Sequence, residues 1–344
     1  MGEVVDPSFI QSIEHRPNLD PIEAQGIPII DLSPANSPTD ALVAAIGEAS
    51  QKWGFFQVIN HGVPAETRRK LEWASREFFS LSKEEKLKVK RDDLNPQGYY
   101  DAELTKNVRD WKEVFDFTTK EPTIIPNDSH FIHLVNRWPQ HPPNFREIFE
   151  EYTREVEKLA YKLLELISLS LGLAKDRLNG FFSDKQTSFI RLNHYPPCPF
   201  PDLALGVGRH KDGGALTILA QDNVAGLEVK RKTDGEWIRV KPDVDSYIIN
   251  IGDIIQVWSN DKYESVEHRV IVNMEKERFS MPFFFNPGHH INVVPLEEEI
   301  SLDNPVRYKA YNWGKFFATR KMSNFVKLKV ENIQISQFKI VEGA

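Results

Sequence analysis

The chain has 344 residues, 40% hydrophobic and 27% charged, enough to bury a substantial core and ordinary for a soluble globular protein of one to three domains. Its net charge of -7 and pI near 5.9 argue against nucleic acid or an anionic membrane as partner. No run approaches the roughly 18 apolar residues that span a bilayer, and the single cysteine, Cys198, excludes an internal disulfide and suits a reducing compartment. The first residues lack a basic-then-apolar signal pattern, and Asp6 stands where a myristoylation signal needs Ser or Thr. The expectation is a cytoplasmic protein, with the nucleus also open, acting as a monomer.

Residues 1–25 are polar and punctuated by proline, an expected surface arm. Ile27 to Leu32 reads as a first strand. Ser37-Pro38-Thr39-Asp40 places a cap, a proline and an acid at the start of a helix running to about Trp53. Gly54 to Asn60 is a strand turned by Gly62-Val63-Pro64, and Ser82-Lys83-Glu84-Glu85 has capping-box form. Between Asn144 and Leu171, apolar residues Phe149, Tyr152, Val156, Leu159, Leu163, Leu166 and Leu169 recur every three or four positions, the stripe of a long amphipathic helix. From about Thr187 the pattern changes to short apolar runs between turn residues. Expected strands are Ser188–Leu192, Leu216–Gln221, Gly226–Lys230, Trp237–Val240, Tyr247–Ile251, Ile254–Trp258, His268–Val272 and Phe279–Phe285. So many short strands predict a mainly β fold with α elements: a double-stranded β-helix, or jelly-roll, flanked by N-terminal helices. The expected division is an arm at 1–25, a helical N-terminal region at 26–185, a catalytic jelly-roll at 186–325 and a tail at 326–344.

The chemistry concentrates in three short motifs. His210-Lys211-Asp212 is followed by His268, and then by Arg278-Phe279-Ser280. Two imidazoles and one carboxylate can hold a non-haem Fe(II) on one face and leave other positions open. On a strand, residues i and i+2 point the same way, so His210 and Asp212 can grip one ion, while Lys211 faces away. Arg278 and Ser280 share that spacing, and a guanidinium beside a hydroxyl suits a carboxylate. HxD or RxS alone carries little weight, and a lone His268 is more often packed than ligating. Order and strand-like surroundings lift the set. Zinc hydrolysis remains open at this point, since His and Asp also bind zinc.

Further segments extend the pattern: Ile29-Ile30-Asp31-Leu32, Trp53 to Val63, Asp110-Trp111-Lys112-Glu113, Asn193 to Pro199, His210 to Leu219, Gly252-Asp253, Ser265 to Val270 and Arg278-Phe279-Ser280. Together, over nearly the whole chain, they resemble the plant 2-oxoglutarate/Fe(II)-dependent dioxygenases of the isopenicillin-N-synthase-like superfamily. The resemblance implies Fe(II) on His210, Asp212 and His268, with 2-oxoglutarate as co-substrate and ascorbate as a reductant. It implies Arg278, Ser280 and Tyr195 on the distal carboxylate of 2-oxoglutarate, with Asn193 beside it. The implied reaction hydroxylates, desaturates or dealkylates a plant small molecule and releases succinate and CO2. Members commonly have threonine after the first ligand, where this chain has Lys211.

Two rivals keep the fold: an Fe(II) oxidase that needs no 2-oxoglutarate, and a non-enzymatic ligand-binding barrel. Phe284, Asn286, Tyr100 and Phe316 are expected at the substrate. Together with Tyr99, Phe115, Tyr311, Trp313 and Phe317 they suggest an apolar or aromatic compound, set against a packing role for most of them. Arg320 is a candidate for a substrate carboxylate. His61 and His194 are expected to be structural, and His289-His290 to sit in a solvated or substrate-facing loop.

Overall fold

The computed structural model describes residues 5–18, 22–23, 26–33, 37–126, 131–324, 326–327 and 332–340. The expected boundaries at 25 and 325 lie outside the described residues. Two sheets face each other. The larger has eight strands in the order Ile29–Asp31, Phe55–Ile59, Tyr247–Ile251, Leu216–Gln221, Arg278–Phe285, Phe189–Tyr195, Glu113–Thr118 and Gly98–Tyr100. The smaller has five: Ile22–Glu23, Trp237–Arg239, Leu227–Lys230, His268–Ile271 and Leu205–His210. Four strands of the larger sheet precede residue 185, so the expected division at 185/186 cuts across hydrogen-bonded strands, and the N-terminal region is not only helical.

Helix α1, Asp40–Lys52, begins where its cap predicts, with the Thr39 hydroxyl accepting from Leu42 N. Helix α2, Ala65–Ser80, was not expected: Pro64 gives it no side-chain cap, and its surface is heavily charged. Its signal was nevertheless present, because Leu71, Ala74, Ser75 and Phe78 fall at helical spacing and are all buried. Helix α3, Lys83–Leu87, starts at the predicted Ser82 cap. Helix α4, Phe145–Ser170, carries the long stripe; Phe149 to Leu166 of that stripe are buried and Leu169 is half-buried. Helices α2 and α4 pack against Arg278–Phe285, and their apolar faces share one core with that sheet.

One expectation is corrected, and one strand is added to those expected. Ile254–Trp258 is not a strand but part of α5, Asp253–Trp258, every residue of which is buried. A short apolar run fits a buried helical turn as well as a strand, and Gly252 at its N-cap tips the balance. Leu205–His210 is a strand although Gly206 and Gly208 look like breakers. A Cβ on Gly206 would lie 2.6 Å from the Tyr195 ring, and one on Gly208 would lie 2.9 Å from Thr105. These glycines admit close neighbours to the strand. Helix α6, Trp313–Ser323, closes one end of the fold. Among the described residues no helix is long and apolar enough to cross a membrane.

Phe285 is fully buried and stacks on Phe182 at 4.1 Å between sheet and helices. Phe285→Ala should lower the unfolding free energy by about 3–5 kcal/mol, read as a fall in urea midpoint at unchanged slope. A change under about 1 kcal/mol would place the core elsewhere.

Candidate active site

A cavity of about 430 Å³ lies between the two sheets, lined by Thr217, Asn250 and Ser280 of the larger and by Val207, Leu227 and His268 of the smaller. His210 and His268 are direct partners across antiparallel strands, and their rings sit 4.2 Å apart. His210 ends its strand and Asp212 lies just beyond it, so strand alternation does not place the pair as expected; the turn does. Asp212 Oδ1 stands 3.6 Å from His210 Nε2 and 3.7 Å from His268 Nε2. The ligand atoms of these three residues all lie within 4.8 Å of one another, and no other such group of His, Cys, Asp or Glu occurs among the described residues.

The surrounding hydrogen bonds leave the inward atoms free. His210 Nδ1 bonds the Gly208 carbonyl at 2.9 Å and His268 Nδ1 bonds the Val266 carbonyl at 3.2 Å. A carbonyl only accepts, so each Nδ1 carries a proton and Nε2 is the nitrogen left to face the cavity. Burial, and next the neighbouring His268, hold the His210 pKa down at about 3. The ring is therefore neutral near pH 7. Asp212 Oδ2 accepts from Thr217 Oγ1 at 2.7 Å and Asn250 Nδ2 at 2.8 Å, which leaves Oδ1 aimed at the imidazoles. Burial acts to raise the Asp212 pKa, but His268, His210 and these hydrogen bonds outweigh it and hold it below its ordinary value. Two imidazole nitrogens and a carboxylate oxygen on one side of a cavity fit a divalent metal with open positions.

The second half of the site lies on paired strands. Asn193 stands opposite Ser280 and Tyr195 opposite Arg278, which puts all four on one face. Arg278 is buried; its Nη2 donates to Gln221 Oε1 at 2.7 Å and its Nε to the Val224 carbonyl at 3.2 Å. Its Nη1 has no partner among the described residues. The guanidinium lies 5.1 Å from the centre of the Tyr195 ring. Asn193 Nδ2 donates to Ser280 Oγ at 3.2 Å, and Asn193 Oδ1 is buried without a partner. An unpaired buried guanidinium donor is expensive to leave bare, and a carboxylate satisfies it.

Sequence reasoning missed the groups that hold these side chains: Thr217, Asn250, Gln221 and the Val224 carbonyl. It also gave no role to Asp110 and Lys112. Asp110 Oδ1 accepts from Gly208 N at 2.9 Å, and the carbonyl of the same residue takes His210 Nδ1. Lys112 bridges Asp110 and Glu103, and Arg191 bridges Glu103 and Asp116, a buried charge network along one cavity wall.

Of the expected substrate residues, Phe284 lines the cavity and Asn286, Tyr100 and Phe316 do not. Asn286 is buried against Ser188 and Thr187, Tyr100 lies under Arg91, and Phe316 packs on Tyr311 and Trp313. Tyr99, Phe115, Tyr311, Trp313 and Phe317 are core as well, so aromatic content was a poor guide. His61 caps Val63 N and packs edge-on to Tyr247. His194 bonds Glu113 and Glu277. His289 meets Phe131 away from the cavity.

The family description "2OG-Fe(II) oxygenase superfamily" matches residues 186–287, and "non-haem dioxygenase in morphine synthesis N-terminal" matches residues 27–141. Protein DMR6-LIKE OXYGENASE 2 of Arabidopsis thaliana is 36% identical over 326 residues, spanning 91% of this chain and 89% of that protein. Jasmonate-induced oxygenase 2 of the same plant is 38% identical over 309 residues, spanning 85% and 78%. The crystal structure of JOX2 in complex with 2OG, Fe and JA superposes with a TM-score of 0.83 at 34% identity, covering 98% of this chain and 94% of that one.

If the Gly208 peptide transmits the position of Asp110 to His210, Asp110→Ala should weaken divalent-cation binding about tenfold or more. Asp110→Asn, which keeps an oxygen acceptor, should weaken it far less. Calorimetric titration with Mn(II) measures this, and equal affinity in all three proteins would show that the peptide transmits nothing.

Proposed function

The chain belongs to the 2-oxoglutarate–Fe(II) oxygenase superfamily, and from that premise we propose that His210, Asp212 and His268 hold Fe(II) while Arg278, Ser280, Tyr195 and Asn193 hold 2-oxoglutarate. The observation that carries this reading is the pair of unsatisfied sites in one cavity: three inward-facing ligand atoms, and an Arg278 Nη1 with no partner among the described residues. Bound iron supplies oxygen activation coupled to the decarboxylation of 2-oxoglutarate to succinate and CO2, with hydroxylation, desaturation or dealkylation of a small organic substrate.

The protein's own residues select, orient and shield. The Gly208 and Val266 carbonyls take the Nδ1 protons of His210 and His268 and fix the ring orientations, so Nε2 of each is the nitrogen presented to a metal. Thr217 and Asn250 hold Asp212 Oδ2, which fixes the direction in which Oδ1 points. Gln221 and Val224 anchor Arg278 so that its remaining donor faces the cavity already oriented. Leu219 and Leu227, beside this seat, exclude water and strengthen each charge-assisted contact. The Asn193-to-Pro199 segment, which sets Asn193 opposite Ser280 and Tyr195 opposite Arg278, favours a 2-oxoglutarate user over the co-substrate-independent oxidase. The substrate is a plant specialised metabolite or hormone, reached from the side where Phe284 and Arg320 line the cavity.

Asp212→Ala should abolish both iron retention, read by metal analysis, and succinate release. Arg278→Ala should keep iron but raise the 2-oxoglutarate KM by about ten- to a hundredfold, the loss expected for a charge-assisted bond. Normal 2-oxoglutarate saturation in Arg278→Ala, or iron retained by Asp212→Ala, would overturn the assignment.

A further inference from the structure

Lys211 follows the first proposed ligand and lines the cavity half-buried. Apart from Arg278, the other basic residues of the cavity have carboxylate partners. Arg191 engages Glu103 and Asp116, and Lys339 engages Asp261. Lys211 has none among the described residues. Beside it, Arg320 of α6 donates from Nη2 to the Lys211 carbonyl at 3.1 Å. Arg320 Nη1 is buried without a hydrogen-bond partner among the described residues, and the nearest carboxylate oxygen, Asp253 Oδ2, lies 3.6 Å away. Asp253 is itself buried, and among the described residues neither of its side-chain oxygens has a hydrogen-bond partner.

Arg320 thus has the one carboxylate nearby and Lys211 has none among the described residues, which leaves a single positive charge uncompensated next to the reaction centre. We infer that Lys211 and Arg320 Nη1 form a seat for one carboxylate of the organic substrate, distinct from the Arg278 seat for 2-oxoglutarate. A single excess charge matches a monoanion; a phosphate dianion would leave charge unmatched in a partly dry cavity. Phe284 and Pro282 offer an apolar wall for the body of such an acid. Asp253 keeps Arg320 from carrying an uncompensated buried charge when the cavity holds no acid. The hydrogen bond to the Lys211 backbone links the helix that carries Arg320 to the loop that carries Asp212, so an acid seated here is held at a fixed offset from the proposed ligands.

The inference rests on the oxygenase reading, and one experiment separates the two. Full-length protein with Fe(II) and 2-oxoglutarate is incubated with the acidic and the neutral anion-exchange fractions of a leaf extract, and succinate is measured. The acidic fraction should stimulate succinate release, and methyl esterification of that fraction should abolish the stimulation. Lys211→Thr should raise the amount needed for half-maximal stimulation about tenfold or more, with a smaller change in maximal rate, and Lys211→Arg should restore it. Stimulation by the neutral fraction alone, stimulation that survives esterification, no stimulation above the unstimulated rate, or an unchanged half-saturation in Lys211→Thr would overturn the seat while leaving the oxygenase reading intact. No succinate under any condition would overturn the oxygenase reading, and the seat with it.

Discussion

The burial of the Asp212 carboxylate between two sheets is the constraint on which the rest of the structure depends. A charge removed from water is tolerated only when its lone pairs are matched. Thr217 and Asn250, on two adjacent strands of the larger sheet, match one oxygen. The other faces two imidazoles that the smaller sheet brings side by side through the His210–His268 strand pair. The carboxylate is fully matched only when a cation sits among the three, and this electrostatic demand is what supports the proposed metal site. The same closure dries the Arg278 side of the cavity, where strand pairing again places the groups: Asn193 with Ser280 and Tyr195 with Arg278.

Around this centre the protein spends charged residues on position. Asp110, Lys112, Glu103, Arg191 and Asp116, with Lys321 from α6, form a chain of ion pairs, and each of these side chains is buried or nearly so. Breaking such a network by removing one member leaves an unpaired buried charge, which is strongly destabilising. Its geometry also has a local effect, because Asp110 holds the Gly208 peptide whose carbonyl orients His210. Fold and site are therefore joined through one backbone unit. Against that neutral network, the excess of positive charge at Lys211 and Arg320 stands out as a feature of the substrate side, not of the scaffold.

The elements most legible in the sequence were those with local signals. The Thr39 cap, the α4 stripe and the strands Leu216–Gln221 and Tyr247–Ile251 lie where pattern alone placed them. What failed did so for want of a local signal, or because a local signal was ambiguous. Helix α2 lacks a side-chain cap, α5 is too short and apolar to show a period, and Leu205–His210 hides behind two glycines that serve tertiary packing. The substrate side was least legible. Of Phe284, Asn286, Tyr100 and Phe316 only Phe284 reaches the cavity, while Arg320, expected as a partner for a substrate carboxylate, and Lys211, expected to point away from the metal toward surface or substrate, both line it.

The sequence by itself determined the chemistry on offer: His210, Asp212, His268, Arg278 and Ser280 are residue types whose order and spacing suit a metal and a carboxylate, whatever their surroundings. Only the tertiary structure decided which atoms of those residues stay free. Hydrogen bonds with residues distant in sequence, Asn250 donating to Asp212 and Arg278 donating to Gln221, occupy the outward atoms and leave the inward ones bare. Spacing along a chain cannot encode that selection, because it depends on which strands become neighbours when the two sheets close.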